Sequence, residues 1–315
     1  MMKLRSIGLT ILLITLFQYQ TLMAQTKPEL QKIADSVYSY IDIAPGSPGN
    51  AFGANAGVVV GQDAVLVIDT LTSFKEVESL AVQVKKITTK PVKYVVNTHY
   101  HLDHSLGNSY FADKGAVIIS HAKCRDAIAA SGDEILKDPT MFGLPEDFWE
   151  GTRTVSPSIT FNREMTIDLG GITVKLIHSG VASHSAGSII VHVPEQDVLF
   201  TGDILFTDFH PYLGEGDFAG WEKTLNTIRD MNVKNIIPGH GPLSSNKDID
   251  DMKNYLSIFD KKATELSTVE KDIEKLYLNL LNVVPKRTNG DFIVRMNLQA
   301  RYLKNKNNDQ TKKKY

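Results

Sequence analysis

Four side chains that bind metal ions well fall within the short run Thr98-His99-Tyr100-His101-Leu102-Asp103-His104. Imidazole nitrogen and carboxylate oxygen suit zinc, and they also suit iron or manganese. In an extended loop, residues two apart point the same way, so His99 and His101 are placed to reach one ion together. Asp103 and His104, further round the turn, are then placed to reach a second. The chain holds 9 histidines, and three of them stand here with an aspartate between. That concentration at ligand spacing argues against a merely His-rich surface loop. One loop cannot complete two metal shells, so further ligands are needed. The candidates are His184 in Ser183-His184-Ser185-Ala186-Gly187, Asp203 in Thr201-Gly202-Asp203, and His240 in Pro238-Gly239-His240-Gly241. Two ions a few ångströms apart share a hydroxide, lower the pKa of water to about 7 and polarise a carbonyl. The expected chemistry is metal-assisted hydrolysis. No Gly-x-Ser-x-Gly elbow offers a serine alternative.

These residues must be delivered by strand ends. Ala56 to Val60 and Ala64 to Ile68 are apolar, β-branched runs divided by Gly61-Gln62-Asp63, which predicts a hairpin. Apolar residues from Phe74 to Ile87 recur at helical spacing, and Val92 to Val96 is a strand running straight into His99. Strand, helix, strand in that order predicts a parallel βαβ unit. Further strands are expected at Ala116 to Ile119, Ile172 to Ile177, Ser188 to Val193, Val198 to Phe200 and Asn235 to Ile237. His184 would then precede a strand, while Asp203 and His240 would each follow one. Ligands in α/β sheets gather outside the carboxyl ends of strands, so these three have a plausible common edge. Residues 132–157 read as a long irregular insertion, and Trp221 to Met231 as a helix. Beyond Pro242 the chain is largely helical to about Leu303, with a break at Val284-Pro285.

With the motif at 98–104 and His184, Asp203 and His240 in this order, the chain resembles the metallo-β-lactamase superfamily over roughly residues 35–245. The resemblance implies an α/β fold, a four-layer αββα sandwich, with a helical C-terminal extension and a dinuclear site at one edge of the two sheets. It implies that His99, His101 and His184 hold the first metal. It implies that Asp103, His104 and His240 hold the second, and that Asp203 bridges the pair. Two zinc ions are the expected cofactors, with iron or manganese fitting the same donors. Asp103 is expected to orient the hydroxide. Asp69, in Val67-Ile68-Asp69-Thr70, matches an early strand-end aspartate that supports the histidine loop; an ordinary helix N-terminal Asp is the other reading.

Asp203 bears on the substrate. True β-lactamases of this superfamily usually carry Cys or Ser at that place, and Asp is the pattern of glyoxalase II, lactonases and many general metallohydrolases. The leading expectation is therefore an exported hydrolase that cleaves an ester, thioester, lactone or amide by a metal-bound hydroxide. A class B (B3-like) β-lactamase is the alternative, followed by a phosphodiesterase and a non-catalytic metal binder. All seven ligands are present, which favours an enzyme over a binder.

The rest of the chain fits an exported enzyme with a small-molecule substrate. Lys3 and Arg5 precede an apolar run from Ile7 to Phe17, and Leu22-Met23-Ala24 follows. That order predicts a signal peptide over 1–24, and a periplasmic or secreted protein with no stable membrane anchor. The sections that follow are a fold domain over 25–245, a helical extension over 246–303 and a polar tail over 304–315. Loss of Lys3 and Arg5 takes the formal charge from −2 to −4, so no nucleic-acid partner is indicated. Cys124 is the single cysteine and reads as a small buried side chain. His178 and His192 read as structural, and His121 as a cap or a support. His210, in the loop beyond Asp203, is a candidate substrate contact or proton donor. Phe142, Phe148 and Trp149 either wall a pocket or anchor their own loop.

Overall fold

The computed structural model describes residues 28–303 apart from residues 139 and 141. The predicted signal peptide and the polar tail lie outside the described residues. Two sheets face each other. The first runs in sequence order through β1 (Gln31–Ala34), β2 (Val37–Tyr40), β3 (Ala56–Val60), β4 (Val65–Ile68), β5 (Val92–Val96), β6 (Val117–His121) and β7 (Ile159–Phe161). The second contains β8 (Glu164–Asp168), β9 (Thr173–Ile177), β10 (Ile190–Val193), β11 (Val198–Phe206) and β12 (Asn235–His240), in the order β12-β11-β10-β9-β8.

The expected hairpin is β3 and β4, paired antiparallel from Gly57 opposite Ile68 to Val60 opposite Val65. The expected βαβ unit is β4, α1 (Phe74–Ile87) and β5, with the strands parallel. Ser73 and Glu76 close a capping box at the start of α1, and Val77, Leu80, Ala81 and Val84 form its buried stripe. Alternation along β4 explains the layers. Val65 and Val67 pack towards α1, while Leu66 and Ile68 pack between the sheets with Val96, Leu176, Val191 and Phe200. All four are buried, as expected of a strand covered on both faces.

Short helices α2 (Leu102–Ser105) and α3 (Asn108–Ala112) follow β5, and α4 (Ala122–Ser131) follows β6. On the outer side of the second sheet lie α5 (Phe218–Met231), α6 (Asn246–Val269), α7 (Ile273–Leu281) and α8 (Asp291–Asn297). Leu205, Trp221, Ile228, Met252, Tyr255, Phe259, Leu280 and Val294 share one buried cluster there. The C-terminal helices are thus continuous with the fourth layer, because their apolar faces cover β11 and β12. Among the described residues no helix is long and apolar enough to cross a membrane.

Two strand boundaries differ from the sequence expectation. β11 continues past Phe200 to Phe206, so Asp203 lies inside a strand, and His240 is the last residue of β12. The pairing register shifts on both sides of Gly202, whose φ is +48°. That irregularity turns the Asp203 side chain to the sheet edge, the placement expected of a bulge beside a site. The short strands β1, β2, β7 and β8 are additions to the sequence reading.

Candidate metal centre

The histidine loop is built on β5. Asn97 directly follows that strand and pairs its amide with Asn108 in both directions at 2.9 Å. Asn97 also donates to the His104 carbonyl at 3.0 Å, as does the Thr70 amide. These fully buried bonds fold the loop back so that His99 and His104 lie inside the protein, each 0% exposed. Asp69 fixes the loop from β4. Its Oδ1 accepts from the Thr98 amide at 2.7 Å, and its Oδ2 accepts from the Thr98 hydroxyl at 2.7 Å and from His104 Nδ1 at 2.8 Å. The cap of α1 is Ser73, so Asp69 is a support of the histidine loop and not a helix cap.

Two groups of donor atoms result, each drawn together within 4.8 Å. One holds His99, His101, His184 and Asp203; the other holds Asp103, His104 and His240. The seven candidate ligands are thus brought together in two groups. Asp203 lies between the groups. Its Oδ2 is 3.5 Å from His99 Nε2 and 3.4 Å from His184 Nε2. Its Oδ1 is 3.1 Å from His104 Nε2 and 3.5 Å from His240 Nε2. Asp103 Oδ2 is 3.3 Å from His240 Nε2.

The outward nitrogens tell which inward nitrogens are bare. His104 Nδ1 donates to Asp69, His240 Nδ1 to the Gly53 carbonyl at 3.1 Å, and His101 Nε2 to Glu215 at 2.8 Å. Thr98 gives its own hydrogen to Asp69, so His99 Nδ1 donates to Thr98 at 3.1 Å. The inward nitrogens therefore carry lone pairs, yet His99 Nε2 is 3.1 Å from His101 Nδ1 and His104 Nε2 is 3.4 Å from His240 Nε2. Lone pairs converging at such distances, with carboxylates among them, fit a bound cation. Asp203 Oδ1 is a buried oxygen with no hydrogen-bond donor, which fits the same donor set.

Electrostatics agree. Burial, with the neighbouring histidines, lowers the pKa of His99 and His184 and keeps their lone pairs free. Burial pushes the Asp203 and Asp103 carboxyls up, but positive charge at the adjacent His104 and His240 outweighs it. Burial lowers His104, but Asp203, Asp103 and Asp69 in turn raise it well above its usual value, so these carboxylates draw a positive charge, as a proton on His104 or as a cation in its place. Asp203 is held well below the usual carboxylate range and Asp103 is held to about 2.

Several partners escaped the sequence reading. Glu215 accepts from both His101 and Tyr100, so it orients a ligand from outside the donor set. Asn55 donates to the Pro238 and Gly241 carbonyls at 2.9 Å and fastens the turn that carries His240. Gly239 abuts Asp203: a Cβ there would lie 2.0 Å from Oδ1, so only glycine lets the two strands approach. Glu215 and Asn55 have no local pattern that marks them, whereas Gly239 stands in the glycine-flanked run that marks His240; what the sequence does not show is the contact of Gly239 with Asp203.

His210 is not part of the cavity lining. It is 2% exposed, with Nδ1 bonded to the Tyr255 hydroxyl at 2.6 Å and Nε2 3.3 Å from Asp291. The geometry corrects the expectation of a substrate contact: both ring nitrogens are engaged in docking the C-terminal helices. His121 caps α4 by accepting from the Lys123 amide and stacks on His178 at 4.1 Å. Cys124 is buried, and burial pushes its thiol up to about 12. Phe142 lines the cavity, whereas Trp149 is buried within its own loop beside Phe148.

The family description "Metallo-beta-lactamase superfamily" matches residues 49–240, more than half of the chain. The human acyl-coenzyme A thioesterase MBLAC2 is 27% identical over 209 residues, covering 59% of this chain and 72% of that protein. A type 2 metallo-beta-lactamase of Elizabethkingia meningoseptica is 23% identical over 245 residues, covering 76% and 89%. The solved metallo-beta-lactamase from Pontibacter korlensis superposes with a TM-score of 0.59 at 20% identity, covering 73% of this chain and 99% of that one. The αββα layering, the edge-on donor cluster and this match lead to one conclusion: the chain is a hydrolase that belongs to the metallo-β-lactamase superfamily.

Proposed function

We propose that the protein is an exported, dinuclear metal-dependent hydrolase acting on a thioester or ester, with lactones and amides as related substrates. The observation that carries this reading is Asp203, which offers one oxygen to each donor group and so joins two cation sites. His99, His101 and His184 would hold one ion, and Asp103, His104 and His240 the other. Zinc bound there supplies a water of lowered pKa and a Lewis acid for the scissile carbonyl. The chain's own residues do the rest. Asp69 and Glu215 fix the orientation of His104 and His101, and Asp103 presents a carboxylate at the floor of the cavity to accept a hydrogen bond from the attacking water. The similarity to an acyl-coenzyme A thioesterase supports a thioester. Similarity to a metallo-beta-lactamase keeps β-lactams as the second reading, against the carboxylate of Asp203.

The test uses residues 25–315, stripped of metal and then reloaded with zinc. An acyl-thioester panel and nitrocefin are measured side by side. Zinc-dependent thioester hydrolysis is expected. Hydrolysis of nitrocefin alone would promote the second reading, and hydrolysis of nothing in the presence of bound zinc would refute both.

A further inference from the structure

We propose that the cavity beside the metal ligands is an acyl-chain subsite, and that α8 is the wall that sets which chain it accepts. The substrate class is then a thioester or ester of a linear, uncharged acyl group. This rests on the hydrolase reading above.

The cavity holds about 240 Å3 and is continuous with His101, Asp103, Asp203 and His240. A carbonyl placed at those ligands therefore leaves its substituent inside the cavity. The walls are apolar. Phe52 and Phe142, which meet edge to face at 5.2 Å, line it together with Phe292 and Met296. Phe292 and Met296 are spaced four apart, so they share one face of α8. They are 43% and 39% exposed, unusual for large apolar side chains on a helix whose other face is buried. Their placement over the ligands gives that exposure a purpose. The volume lies below the ~300–1,000 Å3 of sites for bulky ligands, which suits a narrow chain. Methionine adapts its shape to irregular occupants.

Charge narrows the class further. Among the described residues no Lys or Arg lines the cavity. Its charged groups are carboxylates: the ligands Asp103 and Asp203, and Glu215, already engaged by His101 and Tyr100. A carboxylate at the far end of the substituent, away from the ions held by Asp103 and Asp203, would enter an apolar slot with no Lys or Arg to meet it. A neutral acyl chain meets no such cost.

The wall is held rigidly, and this accounts for His210. The loop after β11 is stitched to the segment leading into α8. His210 N donates to the Asn289 carbonyl at 2.9 Å, and Asp208 accepts from the Thr288 amide at 2.9 Å. Asn297, at the end of α8, accepts from the Leu213 amide at 2.6 Å and donates to the Pro211 carbonyl at 2.8 Å. Gly290, with φ +85°, packs against the Phe209 ring, where a Cβ would lie 2.8 Å away. The strand that carries Asp203 thus positions the helix that contacts the chain.

Two measurements test the proposal. The first is kcat/KM of the zinc-loaded protein, residues 25–315, on N-acetylcysteamine thioesters from acetyl to dodecanoyl, with ω-carboxyacyl thioesters of equal length. The second is calorimetric binding of the matching non-hydrolysable thioethers to metal-free protein. About 0.8 kcal/mol per buried methylene corresponds to roughly fourfold per methylene until the slot is full. Both series should climb at that rate, and the ω-carboxyl should cancel the gain. Phe292→Ala with Met296→Ala should lower the decanoyl to acetyl ratio by at least tenfold, and Met296→Trp should move the optimum to shorter chains. Both side chains are part exposed, so the fold should tolerate the changes. Flat rates and flat binding would overturn the subsite while leaving the hydrolase intact. Length-dependent binding with no hydrolysis would instead overturn the hydrolase reading and leave the slot.

Discussion

Replacing Asp69 by Asn removes one charge and one acceptor without changing shape. The backbone tolerates it, because Asp69 has φ +60° and Asn is at home in that left-handed region. The amide oxygen keeps the bond to the Thr98 amide, and the Thr98 hydroxyl turns to accept from the new NH2. His104 has no such escape. Its Nδ1–H now faces an N–H donor, so either that bond is lost or the proton moves to Nε2. Nε2 is the nitrogen aimed at Asp103, Asp203 and His240. The loss should fall on the Asp103–His104–His240 group. Outer partners of a ligand are worth about 10–100-fold in metal affinity, or about 1.4–2.7 kcal/mol. Asp69→Ala is less informative, since it orphans three buried donors at about 1–3 kcal/mol each and would unfold much of the sample. The assay is zinc titration against a chromophoric chelator, resolving the two sites, beside circular dichroism to show that the fold is kept. The expected result is one site weakened by that factor and the other little changed. Equal weakening of both sites, or of neither, would refute the tautomer argument.

Other predictions follow from the same contacts. Glu215→Ala frees the outer nitrogen of His101, so the His99–His101–His184 group should lose about tenfold in zinc affinity by the same titration. Gly239→Ala forces a methyl onto Asp203, and inductively coupled plasma mass spectrometry of the dialysed protein should find both zincs depleted. Burial lowers His210 from 6.5 to about 4, so the native state refuses a proton that the unfolded chain accepts. Its contribution is complete above pH 6.5 and is lost as pH falls towards 4, by up to about 3 kcal/mol. Urea unfolding at pH 7 and pH 4.5 should therefore show a smaller acid loss in His210→Gln than in the parent; identical losses would contradict the buried, neutral ring.

The candidate ligands are legible because ligand chemistry leaves a local mark. Four donors in six residues announce themselves, and the strand before His99 carries three valines and a tyrosine in five residues. Asp203 and His240 were found as strand-edge residues beside glycines, though the strands run further than periodicity suggested, because parallel pairing of β11 with β12 carries irregular backbone along. Glu215 could not be read, since its role depends on a loop reaching Tyr100 and His101 from 114 residues away. The Asn97–Asn108 pair looks like two ordinary loop asparagines until both are buried. His210 was misread for the same reason: proximity to Asp203 in sequence says nothing of Tyr255 and Asp291, which engage the ring. The strands β1, β2, β7 and β8 are short and mix polar with apolar residues, so no period stands out. Phe292 and Met296 read as ordinary helix positions; only the folded chain places them over the metal ligands.

The central claim is a dinuclear centre joined through Asp203. The most direct test is zinc per chain, measured on residues 25–315 after dialysis, for the parent and Asp203→Ala. Two zincs in the parent and a loss at both sites in the variant are predicted. A parent that binds no zinc, or a variant that still holds two, would contradict the account.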